Sequence, residues 1–315
     1  MRVLKVKERG VMSELDELIR TDEENILNSR RILIDFDPAL SDALDTAAGM
    51  FRTFSRCLEG VLDDSVDLET LKECSKELGV VEEELVKLIE SKTEKNPVIN
   101  RAQNAWFNLF TRRARAIIFL LLQRELLWAA TDLLRMRITS VSGYERLQAE
   151  SLALLFIFKK DVNLANQWLK LKTDKDGKEF YNKIKGQILS EIGRLDLNNA
   201  YELGSGTSYH VRFASAVRGL SWNNEEEKYV RKSSIRLVYQ ELDRENPFSY
   251  FLNVLSLLRN QEKIFYALGD AFPEVSDPIW FQRVRIFTQT LYHLWKKFKK
   301  TFPEECAKYL KRIGT

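Results

Sequence analysis

The chain has 315 residues, of which 44% are hydrophobic and 30% are charged, with 13 glycines and 6 prolines. This composition is typical of a folded globular protein, and it excludes a disordered or collagen-like chain. Because residues that break secondary structure are few, long uninterrupted segments remain, and these favour helices over strands.

Charge is unevenly distributed along the chain, although the formal net charge is only +3. Residues 1–100 carry 14 basic and 23 acidic side chains, whereas residues 101–315 carry 35 basic and 23 acidic ones. An acidic first third and a basic remainder indicate an electrostatic fit within or between chains, or a basic face for an anionic partner. Oppositely charged solvated faces are the simpler interpretation.

The sequence predicts neither a membrane span nor a secreted protein. The most apolar window, residues 116–134, contains Arg124, Glu125 and Asp132, and charges at that depth oppose membrane insertion. The N-terminal residues lack an apolar run followed by a small-residue cleavage site. Together with three widely spaced cysteines, an odd number that disfavours disulfides, this predicts a cytoplasmic protein.

The first sixty residues contain both ambiguous and clearly helical segments. Val3–Lys7 and Ile32–Phe36 alternate like strands or extended chain, and Ser13–Arg20 could form a short helix capped by Ser13. After Asp37 and Pro38, the apolar residues of Ser41–Leu62 fall at helical spacing. We therefore expect the first core helix at that segment.

A helical hairpin and a polar linker follow. Residues 67–91 contain two apolar stripes separated by Gly79, which ends the first helix. Charge, length and composition all change at residues 92–97. We therefore divide the chain into an acidic N-terminal helical region, residues 1–97, and a main helical bundle, residues 98–315.

The strongest helical pattern runs from Val98 to Arg137. Its apolar residues cover more than one face, which predicts a helix in the middle of a bundle. Ser142 and Glu145 form a capping-box sequence that predicts a second helix reaching Phe158. Short loops then connect further helices up to Leu195, so neighbouring helices are expected to be antiparallel.

The last third of the chain predicts further helices after a loop at Gly204–Gly206. The predicted segments are Tyr209–Leu220, Glu225–Leu242, one from Pro247 to Leu268, one from Pro278 to Lys300, and Pro303–Ile313. No fixed repeat period is present, which disfavours a solenoid. The fold class predicted for the whole chain is all-α, an irregular multi-helix bundle or array of about 11–12 helices.

Metal and cofactor motifs are absent from the sequence. The two histidines, His210 and His293, are far apart, and neither has a glutamate three positions earlier as di-iron bundles require. No phosphate-binding loop and no nucleophile elbow occurs. We therefore predict no metal site and no cofactor.

One set of polar residues in the apolar middle of the chain could be catalytic or ligand-binding. Glu125 and Asp132 share a helix face two turns apart, and an interhelical ion-pair network involving nearby arginines is the simpler alternative. His210 is the histidine that could transfer protons at a site formed by these residues. The candidate catalytic residues are Glu125, Asp132, Tyr144, Glu145, Glu150 and His210.

Two basic clusters suggest binding to nucleic acid, since arginine and lysine contact phosphates and aromatic side chains stack on bases. Lysines at a helix C-terminus also interact favourably with the helix dipole without any ligand. The candidate nucleic-acid residues are Arg112, Arg113, Arg115, Lys296, Lys297, Lys299 and Lys300.

A resemblance to known proteins covers residues 100–220. The stretch GYERLQAESLALLFIF, the helix around Trp168 and the stretch YELGSGTSYH, with Tyr201, Ser205 and His210, are similar to uncharacterised bacterial all-helical proteins. More distantly, these resemble HEPN and abortive-infection domains. HEPN ribonucleases place an arginine four to six residues before a histidine, whereas here the arginine nearest before His210 is Arg194. The resemblance therefore implies the fold class and not nuclease activity.

The pattern as a whole favours a non-enzymatic protein-interaction or scaffold role, through a protein partner or self-association, in a bacterial stress or defence system. Abundant apolar helix faces, charge asymmetry and the missing catalytic motifs lead to this prediction. An enzyme or small-ligand binder that uses the polar cluster is one alternative. Nucleic-acid binding through the basic clusters is the other.

Overall fold

A computed structural model describes residues 14–58, 63–91, 96–207, 220–223, 234–237, 247–275 and 277–313. These residues form twelve helices and one two-stranded hairpin. The helices are α1 Glu14–Phe36, α2 Pro38–Leu58, α3 Ser65–Leu78, α4 Glu82–Ser91, α5 Pro97–Leu134, α6 Ile138–Lys160, α7 Val162–Leu169, α8 Asp174–Arg194, α9 Asn198–Thr207, α10 Phe248–Ala271, α11 Pro278–Thr301 and α12 Pro303–Ile313. The hairpin consists of β1 Leu220–Asn223 and β2 Ser234–Leu237.

The longest helix, α5, runs for 38 residues, or about 57 Å at 1.5 Å per residue. Its start is defined by Asn96, whose side chain accepts a hydrogen bond from the Val98 amide, and by Pro97 in the first turn. Its end is defined by Met136, which adopts a left-handed φ of 61° and reverses the chain. These local signals agree with the helix predicted from Val98.

Helix α6 packs antiparallel along the second half of α5. The Gln148 side chain donates to the Leu122 carbonyl over 3.1 Å, and the rings of Trp128 and Tyr144 lie 5.8 Å apart. As the residue number rises on α6 it falls on α5, which fixes the register of this hairpin. Asp161 then caps α7 by accepting from the Asn163 amide over 2.9 Å.

Aromatic side chains from four helices meet in the centre of the main core. Phe54 of α2 lies 5.6 Å from Phe119 of α5, 5.6 Å from Phe272 and 4.6 Å from Trp280. Phe265 of α10 lies 5.8 Å from the same Trp280 ring. Such ring pairs add about 0.5–1.5 kcal/mol each beyond their burial, so this cluster joins α2, α5, α10 and α11.

A second, smaller core lies at the start of α5. It contains buried side chains of α3, α4 and α5, namely Leu71, Cys74, Leu85, Ile89, Ala102, Ala105 and Leu109. Buried residues of α2, by contrast, belong to the main core. The predicted division at residue 97 is not tested by this packing and stays a prediction.

The all-α class is confirmed, and four local predictions are wrong. Ile32–Phe36 is the last part of α1 and not an extended segment, because buried Asn25 and Ser29 continue the helical stripe to Leu33. The two polar residues concealed that stripe in the sequence. The predicted loop at Gly204–Gly206 is also wrong, since these residues lie in α9.

The helix predicted at Glu225–Leu242 is wrong over Ser234–Leu237, which is strand β2. It pairs antiparallel with β1, with Leu220 opposite Leu237. Polar and apolar residues alternate in SIRL, and this period of two is typical of a strand. The alternating segment Val3–Lys7, for which strand and extended chain were both open, lies outside the described residues.

The start of α6 also differs from the prediction. Ser142 lies inside this helix, which begins at Ile138 because the left-handed Met136 reverses the chain immediately after α5. In the part of the chain that the structure describes, no helix is both long and apolar enough to cross a membrane.

We expect Phe54→Ala to lower the free energy of unfolding by about 3–5 kcal/mol, because it leaves a cavity among aromatic rings that cannot collapse. Phe281→Ala is the matched control, since that ring is 48% exposed, and its loss should stay below about 1 kcal/mol. Urea unfolding measures both. Equal losses would contradict the placement of Phe54 at the centre of the core.

Candidate functional site

The predicted catalytic residues do not form one cluster in the described structure. The α5–α6 hairpin brings Tyr144 to α5, but the carboxylates face different helices. Glu145 and Glu150 point away from each other because five residues on a helix correspond to about 140° of rotation.

Glu125 is 2% exposed and forms an ion pair with its neighbour Arg124, with Nη2 and Oε1 2.6 Å apart. The Arg124 guanidinium lies 4.6 Å above the Trp128 ring. The second carboxylate oxygen of Glu125 is buried without a hydrogen-bond partner in the described structure. The arrangement holds Arg124 against Trp128 at the protein surface.

Asp132 belongs to a separate set of charges at the end of α5. Its carboxylate lies 3.7 Å from Arg135 Nη1. Asp22 of α1 lies 3.6 Å from Arg135 and 2.7 Å from Arg137. These ion pairs attach α1 to the α5–α6 turn, which is the structural role that the ion-pair alternative predicted.

Glu145 is 7% exposed and faces α10. It accepts a hydrogen bond of 2.7 Å from Asn260 Nδ2. Burial raises the pKa of Glu145 to about 7, and the Asn260 hydrogen bond lowers it by less. One turn along α6, the buried amides of Gln148 and Gln261 donate to each other over 3.3 and 2.7 Å.

Glu150 faces α8 and α9 on the opposite side of α6. It accepts from Arg146 Nε over 2.9 Å and from the Tyr181 hydroxyl over 3.1 Å. The Arg146 guanidinium also lies 4.8 Å from the Tyr201 ring. Burial and the adjacent Tyr201 hydroxyl raise the pKa of Tyr181, so it stays protonated as a donor. His210 lies outside the described residues.

The arginines of the first basic cluster all have intramolecular partners. Arg112 pairs with Asp67, and Arg113 Nε lies 2.9 Å from Asp64. Arg115 is 6% exposed and binds Glu274 over 3.1 Å through both Nη atoms. Its guanidinium also donates to the Ala271 carbonyl and lies 4.3 Å from the Phe272 ring. This cluster therefore joins helices within the chain.

In the second basic cluster, Lys297 is the member with an ion pair among the described residues. Lys297 binds Asp37 Oδ2 over 3.0 Å, whereas Lys296, Lys299 and Lys300 are exposed at the end of α11. Among the described residues, no group of three or more metal-binding side chains occurs.

An exposed apolar face on α5 was not predicted. Ile117, Leu120, Leu127 and Trp128 are 41, 58, 45 and 47% exposed, and helical spacing places them on one side of α5. We refer to these four residues as the α5 face. The sequence assigned all apolar residues of α5 to the core. The available signal was Arg124, a charge in the middle of this stripe.

Helix α1 has a similar face. Ile19, Leu27 and Ile34 are 50, 68 and 49% exposed and lie on one side of α1, and we refer to them as the α1 face. Glu23 is exposed in the middle of this stripe, and among the described residues it has no ion pair. Both faces are therefore apolar stripes with one central charge, and the charges are opposite.

Comparison of the chain with family models, with curated proteins and with solved structures found no match. The similarity to HEPN and abortive-infection domains accordingly stays a prediction.

We expect Glu145→Gln to stabilise the protein at neutral pH. The folded-state pKa of about 7 exceeds the ordinary value of 4.5, so the stability linked to this proton is complete below pH 4.5 and is lost as the pH rises through 7. Glutamine keeps an oxygen for Asn260 and cannot ionise. Urea unfolding at pH 7.5 should show a gain of up to roughly 3 kcal/mol over the original chain, and no gain at pH 4.5.

Glu150→Gln is the matched control, with the opposite expected sign. It removes a charge that pairs with Arg146, so stability at pH 7.5 should fall by about 1–3 kcal/mol. A loss of stability for Glu145→Gln at pH 7.5 would contradict the burial of an uncompensated carboxyl group.

Proposed function

We propose that this protein is a helical scaffold that associates with itself, the α1 face of one copy lying on the α5 face of a second copy. The observation that carries the proposal is the presence of two exposed apolar helix stripes of opposite central charge on the same chain. A symmetric pair of copies covers both stripes twice, once in each direction.

Burial of the two faces supplies the driving force. Each copy contributes seven large apolar side chains that are between 41 and 68% exposed. Burying apolar surface yields about 25 cal/mol per Å². Isolated exposed apolar residues are ordinary, but contiguous stripes of this kind are typical of protein-binding surfaces. The repeated contact across a two-fold axis doubles the area that one helix pair covers.

The lengths of the two faces are compatible. Ile19 to Ile34 spans 15 residues and Ile117 to Trp128 spans 11, which correspond to about 22 and 16 Å along the helix axes. The apolar residues of the α1 face are spaced by eight and seven positions, and those of the α5 face include spacings of three, seven and eight. Packing of such ridges into grooves is the ordinary mode of helix association.

Charge favours the α1 face over an unrelated apolar partner. Arg124 is the exposed cation at the centre of the α5 face, and its ion pair with the buried Glu125 compensates part of its charge. Glu23 gives the α1 face a negative centre. Association therefore places opposite charges near each other and like charges apart, which sets the register of the two helices.

The test is a pair of complementary variants, Leu27→Glu on the α1 face and Leu120→Lys on the α5 face. Each variant alone should be monomeric, because each contact then buries one charge against an apolar face. An equal mixture should form dimers with one copy of each, since one contact joins Glu to Lys and the other is unchanged. With one variant uniformly labelled with ¹⁵N, native mass spectrometry distinguishes the two homodimers and the mixed dimer by mass.

Val66→Glu is the control, because Val66 is 68% exposed on α3 and lies on neither face. This variant should remain dimeric like the original chain. Dimers of either test variant alone, or no mixed dimer, would contradict the proposal.

A further inference from the structure

A groove between α10, α11 and α12 is separate from both faces. It encloses about 470 Å³. Its walls are mainly apolar and aromatic, with Phe248 and Leu252 on one side and Leu291, Trp295 and Phe298 on the other. A volume of this size is within the range of small-molecule sites.

The charged residues that line the groove are both cations. Arg259 pairs with the nearly buried Glu262, so its charge is largely compensated. Lys299 is exposed and has no ion pair among the described residues. Burial raises the pKa of the Cys306 thiol in the groove wall, while the Lys299 charge lowers that pKa and the Glu305 charge raises it. Among the described residues that line the groove, Lys299 is therefore the cation without an ion-pair partner.

The two cations lie at different levels of the groove. The Phe248 and Phe298 rings stack 5.1 Å apart at one position along the antiparallel pair of α10 and α11. The hydroxyl groups of Tyr266 and Thr288 lie 3.1 Å apart at a position further along this pair. Lys299 is the residue after Phe298 and so lies at the first position, whereas Arg259 lies on α10 between Phe248 and Tyr266. An apolar wall thus extends from Lys299 along the helix pair.

We propose that this groove binds a medium-chain alkyl carboxylate, with the carboxylate at Lys299 and the alkyl chain along the aromatic wall. A compact cation at one end of an apolar groove selects an anionic head group, and none of the described residues that line the groove is a carboxylate. The alkyl chain replaces water against apolar side chains, and each added methylene should tighten binding roughly fourfold until the groove is full.

The experiment is calorimetric titration of the full chain with decanoate and dodecanoate, below the concentrations at which these form micelles. We expect one site per chain and at least fivefold tighter binding of dodecanoate than of decanoate. Lys299→Glu should weaken dodecanoate binding at least tenfold. Lys300→Glu is the matched control, because Lys300 is exposed beside Lys299 but does not line the groove, and its effect should stay within twofold.

A second readout uses the thiol in the groove wall. Bound dodecanoate should slow alkylation of Cys306, located by mass spectrometry, and leave the rate at Cys57 unchanged. The proposal is overturned by the absence of binding, by equal effects of the two lysine variants, or by equally tight binding of dodecyltrimethylammonium. The dimer mass is measured separately, so either proposal can fail without the other.

Discussion

The rest of the structure depends on how α5 is packed. One half of this helix supports α3 and α4, and the other half lies in the main core against α2, α6 and α10. Within the half of α5 that lies in the main core, the side of the helix that carries the α5 face stays exposed among the described residues. That exposed side is apolar, although surface helices usually direct polar side chains outward. The self-association we propose follows from this imbalance.

Polar contacts on α6 then set the positions of its neighbours. Glu145 and Gln148 bind Asn260 and Gln261 on α10, while Glu150 binds Tyr181 on α8. Directional hydrogen bonds in an apolar interior penalise a shifted register, because a slip leaves buried groups unpaired. The buried, uncompensated Glu145 carboxyl is the weak point of this set.

The sequence predicted most helices because their signals are local. Asn96 with Pro97, and Asp277 with Pro278, cap α5 and α11 as expected, and Pro303 begins α12 at the predicted position. The open surfaces could not be predicted in the same way. Leu120 and Leu122 are equally apolar in sequence, yet the first is 58% exposed and the second is buried, because only tertiary packing decides which side of α5 has a neighbour. Similarly, the partners of Arg115 and Arg112 come from helices distant in sequence.

The central claim is that a second copy covers the open side of α5. Sedimentation equilibrium of the unmodified chain across the micromolar range tests this most directly. The account predicts a particle of twice the 36.8 kDa chain mass, with dissociation on dilution. A particle of one chain mass at every concentration would contradict it.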